Sequence, residues 1–255
     1  MDLFGSSGTR GVANRELTPE FAVEVGRAAA TVLAADRIAL ARDTRATGTL
    51  FANAVASGLS SAGADVDRLG VLPTPGLQAY ADREGVPGVV VTASHNPPQY
   101  NGIKLFEDDG TDLSVDRIEA VEAALRDESL STPAWTETGA ERRVDGARRA
   151  YREEIVAAVD GDRIAGADLT VAIDPGHGAG ALTSPDLFRE LGCRVRTINA
   201  QPDGTFPGRD PEPVEENLED LKRFVRATDA DVGIAHDGDA DRAIFVDETG
   251  AFVDG

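Results

Sequence analysis

Three carboxylates stand at every second position of Asp237-Gly238-Asp239-Ala240-Asp241-Arg242. An extended backbone aims all three to one side, where their charges repel. A hard divalent cation resolves that repulsion, and Mg²⁺ favours a few carboxylates with waters and a phosphate oxygen in octahedral array. Gly238 and Ala240 leave no bulk between the acids, as a compact ion cage requires. The plain alternative is a solvated acidic turn. A binding module is another: Asp237, Asp239, Asp241 and Glu248 fill the first, third, fifth and twelfth places of an EF-hand-like Ca²⁺ loop. Against it, the sixth place is Arg242 rather than glycine, and the flanks Val232 to Ala235 and Ala243 to Val246 read as strands.

A second loop, Thr92-Ala93-Ser94-His95-Asn96-Pro97, follows the apolar run Val89 to Val91 and precedes Pro98, which discourages a helix there. It presents Ser94 beside His95 without the small-residue elbow of a hydrolase nucleophile. Read alone, Ser94 and Asn96 bond the local backbone in a turn. Asn101-Gly102-Ile103-Lys104 follows, carrying one of two lysines in the chain. A third loop, Phe4 to Gly11, offers glycines, hydroxyls and Arg10 to a phosphate through Gly8 and Thr9, although an ordinary terminal arm looks similar. Asp174 to Ala181 formally matches a dinucleotide-binding turn, but Pro175 stiffens it and Asn199 sits where an acid should end the next strand. Thr44, Arg45 and Thr47 read equally as substrate contacts or as a helix entry, and His177 and His236 as ordinary loop histidines.

The elements that must position these loops alternate between short apolar runs and period-3.6 stripes, the pattern of an α/β fold with helices on largely parallel sheets. Thr18-Pro19-Glu20 opens a helix running to about Ala35. Strands are expected at Ile38 to Ala41, Val66 to Leu72, Val89 to Val91, Ile103 to Phe106, Leu169 to Ile173, Arg194 to Ile198 and Val232 to Ala235. Helices are expected at Leu50 to Ala62, after Ser114, at Ala147 to Val159, near Pro185 to Leu191 and near Glu215 to Arg226. Periodicity lapses between Ser129 and Gly146, which places a domain boundary near residue 150.

The chain has 255 residues, 45 acidic and 25 basic, for a net charge of −20. That balance repels polyanions and excludes nucleic acid as a partner. No apolar run is long enough for a membrane span. The N-terminus lacks the features of a secretory signal and Cys193 stands alone, so a reducing, cytoplasmic location is expected. The shortage of lysine and excess of aspartate suit a salt-rich, halophilic cytoplasm, where ions screen self-repulsion.

TASHNP at 92–97, NGIK at 101–104 and DGDADR at 237–242, supported by GTRG at 8–11, closely resemble the α-D-phosphohexomutase superfamily along the whole chain. The resemblance implies two tandem three-layer α/β/α domains with mixed, mostly parallel sheets, 1–150 bearing the phosphoserine loop and 151–255 the metal loop. It implies that Ser94 carries a phosphoryl group and that Asp237, Asp239 and Asp241 hold one Mg²⁺ against it. Arg10 and Arg242 would steady phosphate with Asn96, Gly8 and Thr9 nearby, while His95 and Lys104 would assist proton transfer and positioning. A phosphorylated Ser94 adds about two negative charges to three aspartates, and Mg²⁺ with Arg10, Lys104 and Arg242 supplies about five positives. The implied reaction interconverts hexose 1- and 6-phosphates of the phosphomannomutase/phosphoglucomutase type through a bisphosphate; phosphoglucosamine mutase is the alternative. Ala240 leans toward the glucose and mannose enzymes. Family members continue into domains III and IV, absent here, so the sequence is expected to turn over poorly alone, the missing C-terminal half being a possible partner.

Overall fold

Thr18 begins the first helix as its residue type dictates, its Oγ1 accepting from the Phe21 amide at 3.2 Å while Pro19 occupies the first turn. The computed structural model describes residues 8–253. Its chain divides into two units: one comprises residues up to Arg42, Thr47–Ala93 and Gln99–Asp145; the other comprises Asp43–Ala46, Ser94–Pro98 and everything from Gly146.

The first unit contains β1 (Thr9–Val12), α1 (Pro19–Leu33), β2 (Arg37–Arg42), α2 (Gly48–Ser61), β3 (Asp65–Val71), α3 (Thr74–Glu84), β4 (Gly88–Val91), β5 (Tyr100–Phe106), α4 (Val115–Arg126) and β6 (Glu141–Arg143). The sheet order is β1-β5-β4-β2-β3-β6, with β4, β2, β3 and β6 parallel and β5 antiparallel to both neighbours. Val25, Leu33, Phe51, Val55, Leu59 and Val121 from α1, α2 and α4 share a core with Ile38, Leu40, Val66 and Val89 of the sheet. Gly26 and Gly58 let α1 and α2 touch: a Cβ on Gly58 would lie 2.2 Å from the Val23 carbonyl oxygen.

The second unit contains α5 (Ala147–Ala158), α6 (Gly161–Gly166), β7 (Thr170–Asp174), α7 (Ser184–Glu190), β8 (Arg194–Thr197), α8 (Glu219–Ala227), β9 (Val232–His236), β10 (Ala243–Asp247) and β11 (Phe252–Val253). Its order is β11-β10-β9-β7-β8, parallel across β9-β7-β8 and antiparallel across β9-β10-β11. Leu221 and Val225 of α8, four residues apart, bury with Ala172, Ala235 and Val246 on one face. Val171, Ile173 and Ile234 bury on the other with Ile164 and Phe188. The α/β layers expected from the sequence are therefore present, but this second sheet is evenly split rather than mostly parallel.

Other expectations need correction. The described part of the N-terminal glycine-rich loop is an edge strand, Thr9 opposite Ile103 and Arg10 opposite Gly102; residues 4–7 of that loop lie outside the described residues. The strand needs Gly8, since a Cβ there would meet the Ile103 carbonyl oxygen at 2.2 Å. Helix α3, unforeseen, starts at a Pro-containing first turn and buries only Leu77, Tyr80 and Ala81 among its larger side chains, too short a stripe to read. Strand β6 is exposed at all three residues and carries no period. Ser114 precedes α4 without a side-chain capping bond. The helix expected from Glu215 breaks into a 3₁₀ turn at Glu215–Asn217 and then α8, where the Asn217 side-chain Nδ2 donates back to the Glu212 carbonyl at 2.8 Å and competes with continuation of the helix. No described helix is long and apolar enough to cross a membrane.

Candidate active site

In open α/β sheets ligands gather beyond the carboxyl ends of strands where the strand order reverses. In the second unit that place lies between β7 and β9, and the aspartate loop leaves β9 there. The loop is not extended. Ala240 adopts a left-handed φ of 55° and its amide donates back to the Asp237 carbonyl at 3.3 Å, so a tight turn rather than strand alternation gathers the acids. One ligand oxygen from each of Asp237, Asp239 and Asp241 lies within 4.8 Å of the others, with Asp237 and Asp239 buried and Asp241 exposed. Burial first, then the charges of Asp239 and Asp241, push the Asp237 carboxyl up to about 8, although the Ser94 hydrogen bond opposes the rise.

Ser94 stands against this turn. Its Oγ donates to Asp237 Oδ2 at 2.6 Å, and the side chain is buried. Its backbone is left-handed at φ 50°, a conformation that costs a non-glycine residue about 1 kcal/mol and is maintained only where surroundings enforce it. Arg45 binds the carbonyls of this loop. Its Nη2 donates to the Ser94 carbonyl at 2.9 Å and to the Asn96 carbonyl at 2.6 Å, and its Nη1 donates to the Pro97 carbonyl at 2.7 Å. Asp43 balances the guanidinium, accepting from Nε at 3.0 Å, and Phe206 lies 5.2 Å beneath it.

The aspartate turn has an equivalent support. Asp174, at the end of β7, accepts from Arg209 Nε at 2.9 Å, and Arg209 Nη2 donates to the His236 carbonyl at 2.6 Å, one residue before Asp237. The Ala179 amide donates to the Gly238 carbonyl at 2.9 Å. Gly178 permits that approach, since a Cβ there would lie 2.5 Å from the same oxygen; a Cβ on Gly238 would meet the Ser94 carbonyl oxygen at 2.6 Å. The glycines of Asp174 to Ala181 thus pack against the aspartate turn. His236 Nδ1 donates to the Arg242 carbonyl and its Nε2 bonds Ser184 Oγ, each at 2.9 Å, and desolvation holds its imidazole below the ordinary value.

The remaining expected residues fall in two places. His95 and Asn96 belong to the serine loop, with His95 Nδ1 3.5 Å from Ser94 Oγ, longer than an effective hydrogen bond. The Arg242 amide donates to Asp237 Oδ1 at 3.3 Å while its guanidinium lies 4.0 Å from Glu212, both side chains half exposed. Gly8, Thr9, Arg10 and Lys104 lie in the first unit. There Arg10 opposes Gly102, two residues from Lys104, so the two cations share one face of the sheet. The flanks of the aspartate turn are the antiparallel strands β9 and β10, which removes the EF-hand reading.

Three convergent carboxylates, two of them desolvated and one held well above its ordinary pKa by burial and then by like charge, are the donor set that a hard cation stabilises. The residues fit Mg²⁺. Sequence reasoning passed over Asp43, Arg45, Asp174 and Arg209 as architects of the site. The available signal was an arginine following a strand-terminal aspartate in Asp43-Thr44-Arg45.

Comparison with known proteins agrees with this architecture. A phosphoglucomutase/phosphomannomutase protein of Thermococcus kodakarensis is 46% identical over 259 residues, covering 99% of this chain and 57% of the relative. A Methanopyrus kandleri protein named a "probable phosphoglucosamine mutase" is 46% identical over 252 residues, covering 98% and 54%. The crystal structure of a Burkholderia thailandensis phosphoglucomutase/phosphomannomutase family protein superposes with a TM-score of 0.88 at 32% identity, covering 99% of this chain and 56% of that one. The chain thus spans a little over half the length of these relatives. Family models for phosphoglucomutase/phosphomannomutase α/β/α domain I and domain II match residues 1–132 and 149–250. This chain belongs to the phosphoglucomutase/phosphomannomutase family.

Proposed function

We propose that this chain is the phosphoryl-carrying and metal-binding part of a phosphohexomutase that interconverts hexose 1- and 6-phosphates. The observation that carries the reading is the 2.6 Å hydrogen bond from Ser94 Oγ to Asp237, within a cluster of three aspartates. Asp237, Asp239 and Asp241, with an oxygen on Ser94, would hold Mg²⁺. When bound, the ion neutralises charge on the phosphoryl group and leaves its ester oxygen a better leaving group. The chain's own residues supply position: Arg45 holds the serine loop, and Arg209 with the Ala179 amide holds the aspartate turn. Phosphoryl transfer asks chiefly for such positioning and for charge neutralisation. Arg10, Lys104 and Arg242 are the cations assigned to phosphate, His95 to proton transfer, and Asn96, Gly8 and Thr9 to supporting contacts.

In the reaction proposed, the phosphoryl group of Ser94 passes to the free hydroxyl of a hexose monophosphate, giving a bisphosphate. The other phosphoryl group then returns to Ser94, and no ATP is consumed. Recognition of the sugar ring is assigned to the further length that the relatives possess. A cytoplasm rich in salt is the proposed setting, resting on the charge of −20; a melting temperature that does not rise with potassium chloride contradicts it.

The test is mass analysis with peptide mapping after incubation with glucose 1,6-bisphosphate and Mg²⁺. One phosphoryl group on Ser94, lost in Ser94→Ala and suppressed by chelation, supports the reading. A Ser94 that stays unmodified even when the chain is completed with the C-terminal part of the Thermococcus relative refutes it. The Methanopyrus relative motivates a second reading, phosphoglucosamine mutase; faster loading from glucosamine 1,6-bisphosphate than from the glucose compound favours it.

A further inference from the structure

Arg45 is buried, 1% exposed, yet none of its hydrogen bonds described above reaches another secondary-structure element. Three go to the carbonyls of Ser94, Asn96 and Pro97 and two tie its amide and Nε to Asp43. A planar guanidinium donates in several fixed directions at once, which an ammonium cannot. A buried arginine whose side chain satisfies three carbonyls of one five-residue loop determines that loop's shape. Gly204 is pressed against the same segment: a Cβ there would lie 2.2 Å from the Ala46 amide, so the segment carrying Arg45 is itself confined.

We propose that Arg45 is a positioning residue for phosphoryl transfer. By binding the Ser94, Asn96 and Pro97 carbonyls it keeps Ser94 in the left-handed conformation that directs Oγ toward Asp237. The proposal rests on the phosphoserine reading above. Asp43 keeps the buried guanidinium charge-balanced, and removing the arginine alone would leave a desolvated carboxylate uncompensated.

The test therefore compares Arg45→Lys with the double variant Asp43→Asn/Arg45→Met, in which no buried charge is left alone. Two quantities are read in the 255-residue chain: backbone order parameters at the Ser94, His95 and Asn96 amides, and the rate at which glucose 1,6-bisphosphate with Mg²⁺ phosphorylates Ser94. Both variants are expected to drop these order parameters from a rigid value of about 0.85 toward 0.6 or below, with β4 and β9 unchanged. Loading is expected to slow by about 100-fold, the effect of misplacing a reacting group by roughly an ångström. Arg45→Lys keeps the charge and must fail to rescue. If either folded variant keeps a rigid loop, or loads within about threefold of the parent, the proposal is overturned. If the parent never loads even when completed with the C-terminal part of the Thermococcus relative, the mutase reading falls, and the order parameters still decide whether Arg45 positions Ser94.

Discussion

Strands β2 and β7 occupy matching places in their sheets, each flanked by two parallel neighbours, and each leads into a buried aspartate that holds a buried arginine. Asp43 accepts from the amide two residues on, Arg45, at 2.9 Å; Asp174 does the same with Gly176 at 2.8 Å. Arg45 then binds carbonyls of the loop that follows its sheet's parallel strand β4, and Arg209 binds the carbonyl of His236, the last residue of β9 before the aspartate turn. The difference lies in reach. Arg45 is two residues from its aspartate, and its two Nη groups bind carbonyls of one loop. Arg209 is 35 residues from Asp174 and also binds the Asp210 and Pro211 carbonyls, so it joins β7, β9 and the proline-rich segment. The local clamp holds one loop, whereas the long-range one ties together two strands and a distant segment.

That contrast breaks most visibly at Arg209. Arg209→Met leaves Asp174 buried without its cation, and urea unfolding should show a loss of about 3–5 kcal/mol; a loss below about 1 kcal/mol would contradict a buried pair that holds the unit together. Next is Gly238→Ala, whose methyl would meet the Ser94 carbonyl oxygen and should cost about 1–3 kcal/mol by the same measurement, weakening Mn²⁺ affinity as well. Unchanged stability and affinity would show that the two loops are not closely packed. Asp67 of β3 sharpens the comparison, being a buried aspartate paired with arginine but attached to no loop of the site. Burial raises its pKa, but hydrogen bonds from Arg142 and Tyr80, with the charges of Arg142 and Arg37, outweigh this and hold it below the ordinary carboxylate value. Its stabilisation is therefore complete above the ordinary carboxylate range and disappears as pH falls through the lowered folded value. Asp67→Asn should flatten the acid limb of stability below about pH 4 without touching Mn²⁺ binding; an unaltered limb contradicts the assignment. Smallest is Glu212→Ala, which removes a half-exposed partner 4.0 Å from Arg242 and should change unfolding free energy by less than about 0.5 kcal/mol.

The legible parts were those where one physical signal acts alone. Thr18-Pro19-Glu20 marked a helix start because cap, fixed φ and acidic first turn agree. Val89 to Val91 marked a central strand because it is buried on both faces. Ser94 and the three aspartates were visible as chemistry, since clustered like charge needs a reason. What gathers them was not: Ala240 turns the chain through a left-handed residue that alanine rarely adopts, and nothing in its side chain announces this. Arg45 was hidden for a related reason. Its partners are backbone carbonyls about 50 residues away, and carbonyls have no residue type to read. Strand β1 was masked by the glycines that its close pairing with β5 requires.

The central claim is that Ser94 and the aspartate trio form one cation-centred site. The phosphorus-31 resonance of phosphorylated Ser94, recorded as Mn²⁺ is added, tests it most directly. Paramagnetic broadening should erase the line when Mn²⁺ binds, and Asp239→Asn should restore it at the same Mn²⁺ concentration. A line that stays sharp while Mn²⁺ is bound to the three aspartates would contradict the account.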